Sequence, residues 1–435
     1  MSQMLERRKP LDLLFPLKGG ASNELNGKKE GSMSALDRLR AAVNLTKDAV
    51  KAVSITAMEA LREGAAMVGI VGEQDELIDP FNHLDAPIWA RDPPVELLRL
   101  AYSYCEELTM REAGNFYHSF KYLPDEQRQA MCAVYAFCRR ADDIADGDWQ
   151  DRFPGSEGEM DPEAVRYREQ LESLQNKDTI LQEEMYLEKI TQLFFFRKKL
   201  STCYSEVSST DPVFLALKDT VKRYGISRSV FDDLITGMED DLYNNRYRTF
   251  DELYLYCYRV ASVVGLMCIE IYGYEDPRAK KFAESWGIFM QLTNVLRDVG
   301  EDIQRDRVYL PLNELEANGI VEPELEGDVV LNTTWEPYIH HYAKRARTYL
   351  KEAKQLLPLL PRRSRYSPAA MIAFYDKILK QIERQQGDVF TKRVKLSKPQ
   401  KLSLAAAVYL RHRFLPRFLN PLWSGFSKIG LLPDV

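Results

Sequence analysis

Four aspartates are spaced so that two separate helices could each present a pair of them. In Tyr135-Ala-Phe-Cys-Arg139-Arg140-Ala-Asp142-Asp143-Ile-Ala-Asp146, Asp142 and Asp146 lie four apart. On a helix that spacing puts both carboxylates on one face, with Cβ atoms about 5–6 Å apart, and they repel unless a cation relieves them. A single pair of this kind is most often a solvated helix face. This one follows the apolar run Met131 to Cys138, where solvation is a poor account. In the second run, Gln291-Leu-Thr-Asn294-Val-Leu-Arg297-Asp298-Val-Gly-Glu301-Asp302, a polar stripe of Gln291, Asn294, Asp298 and Asp302 recurs at spacings of three, four and four. Its neighbours Trp286 to Met290 and Val295-Leu296 are apolar, so the stripe is expected to line a cavity. Two such stripes facing each other suit a hard cation bound through oxygen, and Mg²⁺ held this way shares its shell with substrate phosphates. Arg139 and Arg297 stand beside these aspartates, and a planar guanidinium matches phosphate oxygens. The chemistry expected is the holding of a diphosphate and its stabilisation as a leaving group.

Helices must position these residues. From Val95 onward the apolar pattern is helical, with breaks at Leu123-Pro124, Gly147 to Pro162, Gly225, Gly273 to Pro277 and Leu310 to Pro337. No stretch alternates at period two for long enough to build a sheet. The expected architecture is one all-α domain, a helical bundle around a central cavity, with helices longer than average. Residues 1–94 read as an N-terminal extension. It starts with a Gly-, Lys- and Asn-rich stretch, continues as an amphipathic helix from Ser34 to Val68 with a basic face, and ends in the Pro- and Asp-rich connector Asp79 to Pro94. The apolar stripe of that helix suits either the protein's own body or a membrane surface. Residues 95–420 form the expected catalytic domain and 421–435 a C-terminal tail.

Composition narrows the function classes. Of 435 residues, 45% are hydrophobic and 29% charged, and 59 Lys and Arg against 65 Asp and Glu leave a net charge of −6. This is a soluble globular composition without the extended cationic surface that nucleic acid requires. The six cysteines, Cys105, Cys132, Cys138, Cys203, Cys257 and Cys268, sit in apolar helical stretches with no C-x-x-C pair and read as buried free thiols. Charge-free apolar runs such as Val260 to Ile269 fall short of the ~20 residues that span a bilayer, so no transmembrane helix is expected. The N-terminal residues carry early acids and no long apolar core, a poor secretory signal. The five histidines offer no ligand set, and the absence of Glu-x-x-His disfavours a di-iron bundle.

At this point the sequence resembles the squalene and phytoene synthase family, from about Ala101 to Arg413. YAFCRRADDIAD is similar to the family's first aspartate-rich motif, and QLTNVLRDVGED followed by RVYLP to its second. Phe250 to Gly265 resembles the segment that flanks the pocket in phytoene synthases, and Tyr375 to Glu383 with Asp388 to Val394 is also family-like. The resemblance implies an isoprenoid synthase type of bundle. It implies Mg²⁺ bound by Asp142, Asp146, Asp298 and Asp302 with support from Asn294 and Gln291, and diphosphate held by Arg139, Arg297 and Arg393. Tyr135, Tyr256 and Tyr375 would line the reacting centre. The family's Ala-Gly-Thr-Val-Gly run appears here as Ala261-Ser262-Val263-Val264-Gly265, which puts a side chain at a tightly packed position. Asn115-Phe116 stands where many members carry a small hydroxylated residue before the Phe.

An allylic carbocation left by diphosphate loss needs water excluded and electron-rich faces nearby. Tyr254, Tyr256, Tyr258 and Phe289 lie on segments expected to face such a cavity. The function expected is head-to-head condensation of two geranylgeranyl diphosphates to phytoene in carotenoid biosynthesis, with Mg²⁺, or Mn²⁺ in its place, and no NADPH. The alternatives are a squalene or dehydrosqualene synthase using farnesyl diphosphate, and a non-catalytic scaffold on the same fold. Expected partners are prenyl diphosphates and, peripherally, a membrane, but no nucleic acid. The expected location is the cytoplasm, at a membrane, or the plastid of a photosynthetic eukaryote.

Overall fold

Among the described residues, helix begins at Val95, where the apolar pattern of the main domain begins. The computed structural model describes residues 93, 95–147, 184–209, 211–320, 334–390 and 393–413. The amphipathic segment Ser34 to Val68, nearly all of the 1–94 extension and the 421–435 tail lie outside them. Helix α1 (Val95–Glu112) and the short α2 (Gly114–Phe120) lead to Leu123-Pro124, after which α3 runs Asp125–Asp146. Pro124 is extended, Asp125 and Glu126 sit in the first turn where the helix dipole favours them, and Gly147 ends the helix at φ 83°. Then come α4 (Glu184–Leu200), α5 (Pro212–Tyr224) and α6 (Arg228–Tyr243). Helix α7 (Phe250–Cys257) passes through one π turn, Tyr258–Ser262, into α8 (Val263–Tyr272). Helix α9 (Arg278–Ile303) is followed by α10 (Leu312–Ala317), α11 (Trp335–Ala353), α12 (Tyr366–Arg384) and α13 (Lys398–Arg413). An isolated parallel bridge joins Arg246 to Val308.

The two helices that carry the acidic stripes are the ones buried on nearly every side. Buried positions of α3 run almost unbroken from Ala130 to Asp146, and those of α9 from Ser285 to Val299. A helix buried all round is the centre of a bundle, not its rim. Helix α3 packs against α1, α5, α4, α6 and α8, while α9 packs against α11, α8, the π turn and α12. The two share no extended packing with each other, and α8 touches both. The stripes therefore face a gap between two axial helices, and the described helices share one hydrophobic core around it.

Where α9 crosses the π turn, the backbones meet. A Cβ on Gly287 would stand 2.4 Å from the Ser262 Cα, closer than side-chain atoms tolerate. Ser262 fits this crossing because the missing side chain is on the opposite helix, and its hydroxyl donates to the Glu284 carbonyl at 2.9 Å. The tight approach thus survives the serine.

Two sequence expectations shift. The break expected from Leu310 to Pro337 contains α10, and α11 starts at Trp335, ahead of Pro337. A proline in the first turn removes an N–H that has no intrahelical acceptor anyway. Although no spanning segment was expected, the continuous run Phe250–Tyr272 is long and apolar enough to cross a bilayer, yet 61% of it is buried inside the fold as a core element. The six cysteines are free and buried, as expected, and burial pushes the Cys132 and Cys268 thiols up to about 12.

Candidate active site

Asp142 and Asp146 emerge from α3 buried, as their spacing requires. Arg139, one turn earlier, lies 3.5 Å from Asp142 and pairs with Asp143 at 3.2 Å. Across the gap, Gln291, Asn294, Asp298 and Asp302 all lie buried along α9. Arg297 holds Asp298 through Nε at 2.9 Å and Nη2 at 2.5 Å, and Arg393, from the segment after α12, reaches the same carboxylate at 2.8 Å. Arg393 also approaches Glu301 at 3.5 Å. Burial alone would raise the Asp298 carboxyl, but the two guanidinium groups outweigh it and hold it below the usual carboxylate range. Asp302 goes the other way: burial, then the negative charge of Asp298, push its carboxyl well above that range.

The site has a third acidic element that the sequence reading did not single out. Asp241 on α6 is buried, accepts a hydrogen bond from Tyr309 at 2.7 Å, and pairs with Arg307 at 3.1 Å. Tyr309 stacks on Tyr256 at 5.2 Å and on Tyr247 at 5.8 Å, and the last two meet at 5.2 Å. Two backbone bonds clamp the connectors that carry these rings, Val308 N–H to the Asn245 carbonyl and Leu312 N–H to the Tyr247 carbonyl. Burial lowers the Arg307 guanidinium, but Asp241 first and Asp146 further off more than restore it, so Arg307 links the α6 and α3 acids. The usable signal is the RVYLP run that follows the second acidic motif, whose partner on α6 the sequence does not reveal.

Of the three tyrosines expected at the reacting centre, Tyr375 on α12 lies beside Arg297 and Asp298 and meets Phe289 edge-on at 6.5 Å. Tyr256 sits in the Tyr247–Tyr309 cluster. Tyr135 stacks on Phe116 at 6.4 Å and lines a narrow apolar cavity with Phe120, Met131, Val264, Tyr272 and Met371 among others. Tyr254 and Tyr258 do not take the cavity-facing place expected of them. Both are half-buried on the outer side of the α7 run, where Tyr254 donates to Glu284. Tyr258 itself opens the π turn that leads into α8, a departure from the α pattern that periodicity does not reveal. Polar contacts fix cavity-lining Tyr272: its Oη meets Ser367 Oγ at 2.8 Å, and Gln127 and Ser364 donate to its carbonyl at 3.3 Å and 3.0 Å.

Among the described residues, no three His, Cys, Asp or Glu side chains close into a preformed cation cage. The donor set nevertheless suits a hard cation. Asn294 Oδ1, Asp302 Oδ2 and Gln291 Nε2 are buried without a hydrogen-bond partner among the described residues, an arrangement native proteins avoid unless a ligand completes it. The carboxylates of both stripes and the Asn294 amide offer oxygen, as Mg²⁺ demands, whereas Gln291 Nε2 is an N–H donor suited to a diphosphate oxygen.

The squalene/phytoene synthase family model matches residues 109–400. Phytoene synthase 2, chloroplastic, of Oryza sativa subsp. japonica is 34% identical over 360 residues, covering 80% of this chain and 81% of the relative. The chloroplastic phytoene synthase of Daucus carota is 35% identical, covering 74% and 73%. A crystal structure of a dehydrosqualene synthase in complex with ligand superposes with a TM-score of 0.59 at 27% identity, over 73% of this chain and 99% of that one. A squalene synthase from Alicyclobacillus acidocaldarius, at 23% identity and TM-score 0.54 over 68% and 97% of the two chains, shares the fold. Because the matched span takes in both acidic stripes and about two-thirds of the sequence, the chain belongs to the squalene/phytoene synthase family.

Proposed function

We propose that the protein is a prenyltransferase that joins two geranylgeranyl diphosphates head to head, through a cyclopropylcarbinyl diphosphate, and releases phytoene in carotenoid biosynthesis. One observation carries the reading: a buried cluster of carboxylates and arginines stands on the same two helices that wall an apolar cavity, so a diphosphate head and a prenyl tail can be held at once. The relatives named phytoene synthase, matched over most of the chain, favour the C20 substrate over the C15 alternative.

Asp142 and Asp146 on one side, and Asp298 and Asp302 with Asn294 and Gln291 on the other, would hold Mg²⁺ or Mn²⁺. When bound, the cation supplies charge neutralisation that makes diphosphate a better leaving group. Arg139, Arg297 and Arg393 bind the diphosphate oxygens through planar N–H forks. The ring faces of Tyr135 and Phe116 stand by the allylic cation, and the dry cavity keeps water from quenching it. Joining C20 units releases two diphosphates and two protons overall. The last carbocation loses its proton to a base, for which a retained diphosphate serves, and no hydride donor enters. Residues 95–420 would form the catalytic unit, with 1–94 an extension aiding membrane association. The chloroplastic relatives favour a plastid location.

Incubating purified protein with Mg²⁺ and C15 or C20 diphosphate, with and without NADPH, tests the reading by product mass. The expected result is phytoene from C20 diphosphate without NADPH, and the same product with it. A requirement for NADPH, or a product two hydrogens heavier in its presence, would replace the reading with the squalene-type one.

A further inference from the structure

The chain is acidic overall, but its charge is unevenly distributed. Residues 389–435 contain nine Lys and Arg against one acid, Asp434, while the preceding 388 residues carry 50 against 64. Helix α13 falls within this basic stretch and contains no acidic residue at all. It packs on α12 through Val408, and it turns Leu402, 73% exposed, and Leu410, 52% exposed, to the outside. Tyr122, from the α2–α3 connector, is 51% exposed beside them and packs on Tyr409 at 4.7 Å and Tyr366 at 5.1 Å. Exposed Lys121, Arg362 and Arg363 border the same face, and Arg362 reaches the His412 carbonyl. Burial, then Arg411, Arg365 and Arg362, lower His412 to about 4, a sign of how positive this corner is. The nearest acids in sequence, Asp125 and Glu126, are engaged by Arg128 and Arg223.

Large apolar side chains ringed by cations, on a surface with Tyr at its centre, match the chemistry of a bilayer interface: leucine enters the acyl boundary, tyrosine sits at headgroup depth, and the cations meet anionic lipid. We infer that α13 and the adjoining Tyr122 and Arg362-Arg363 surface form the face by which this protein docks on an anionic lipid bilayer. The surface also adjoins residues that line the cavity: Tyr366 is followed by Ser367, which bonds cavity-lining Tyr272, and Tyr122 follows cavity-lining Phe120 by two residues. A hydrocarbon product too apolar for water has its shortest way into lipid here. That link rests on the proposed function, whereas the docking itself does not.

The test uses the full chain and sedimentation with vesicles of phosphatidylcholine, with or without 30% phosphatidylglycerol as an arbitrary (~30%) anionic fraction. Wild type is expected to sediment with the anionic vesicles only, and to be released by salt at about 0.5 M, where the Debye length is short. Leu402→Glu combined with Leu410→Glu, and separately Arg362→Glu with Arg363→Glu, should each weaken binding roughly tenfold or more. Because these side chains are exposed, circular dichroism and product formation from detergent-dispersed substrate should stay at wild-type values. Undiminished binding by either folded variant would overturn the inference, as would equal wild-type binding to both vesicle types or none to either. Product assays read the catalytic proposal separately, so failure of one does not obscure the other.

Discussion

Asp298 is the residue on which the candidate site turns, because two arginines from different parts of the chain converge on one carboxylate. Asp298→Asn keeps the shape and removes the charge, so turnover is expected to fall at least ~10²-fold with the fold intact. Near-normal turnover of a folded variant would remove Asp298 from the site. Asp143 differs: it holds Arg139 at 3.2 Å from a partly exposed position off the acidic face. Asp143→Asn should cost activity much less, about tenfold at most, and equal sensitivity would mean that the wrong face of α3 has been chosen. At this scale the sequence was informative where function is local. Spacing of three and four placed Asp142, Asp146, Asn294, Asp298 and Asp302 on their faces, because helix geometry converts spacing directly into direction. It was silent on Asp241, whose partners Arg307 and Tyr309 lie more than sixty residues away and are joined to it only by folding.

Between elements, the clearest dependence is at the junction of α3, α4 and α5. Asp211 caps α5 by accepting from the Val213 N–H at 2.9 Å, and it pairs with Arg140 of α3 and Lys199 of α4. Burial would raise its carboxyl, yet Arg140 and Lys199 depress it below the usual range. A depressed carboxylate contributes stability that is complete above its unfolded pKa of about 4 and is lost as pH falls through the folded value. Asp211→Asn is therefore expected to destabilise by about 3 kcal/mol at pH 7, since it leaves buried cations poorly paired. The gap between wild type and variant should narrow below about pH 4. Denaturant midpoints across pH check this, and a constant gap down to pH 2, well under the ordinary ~3.9, would contradict it. Both ends of α3 and the end of α5 could be read from Pro124, Gly147 and Gly225. The π turn could not, because it sits where the α9 backbone crosses at Gly287, a long-range contact that no local pattern encodes.

For the molecule as a whole, the bundle was legible because helical periodicity persists from Val95 to Arg413 and nothing competes with it. The depth of its cavity was not, because depth depends on which end of α3 meets which end of α8 and α12. Tyr272 lines the cavity, its hydroxyl tied to Ser367 and its carbonyl to Gln127 at the start of α3. From Gln127 to Asp142 on α3 is fifteen residues, or ~22 Å at the helical rise. An extended C20 chain built from bonds of ~1.5 Å reaches ~20 Å, a length similar to this span along α3 from the acids to the level of Tyr272. Tyr272→Leu is expected to raise turnover of a C25 diphosphate relative to C20 about tenfold, measured by competition. An unchanged ratio would mean that chain length is read elsewhere. The pairing of Asp298 with Arg297 and Arg393 also has a consequence for how the enzyme is loaded. Each pair is a latch whose two halves want different visitors. A cation arriving alone would strand the arginines, and an anion arriving alone would strand the carboxylate. The two visitors thus open the latch for each other, so their affinities should rise together by one shared factor, and neither should bind well from a solution that lacks the other.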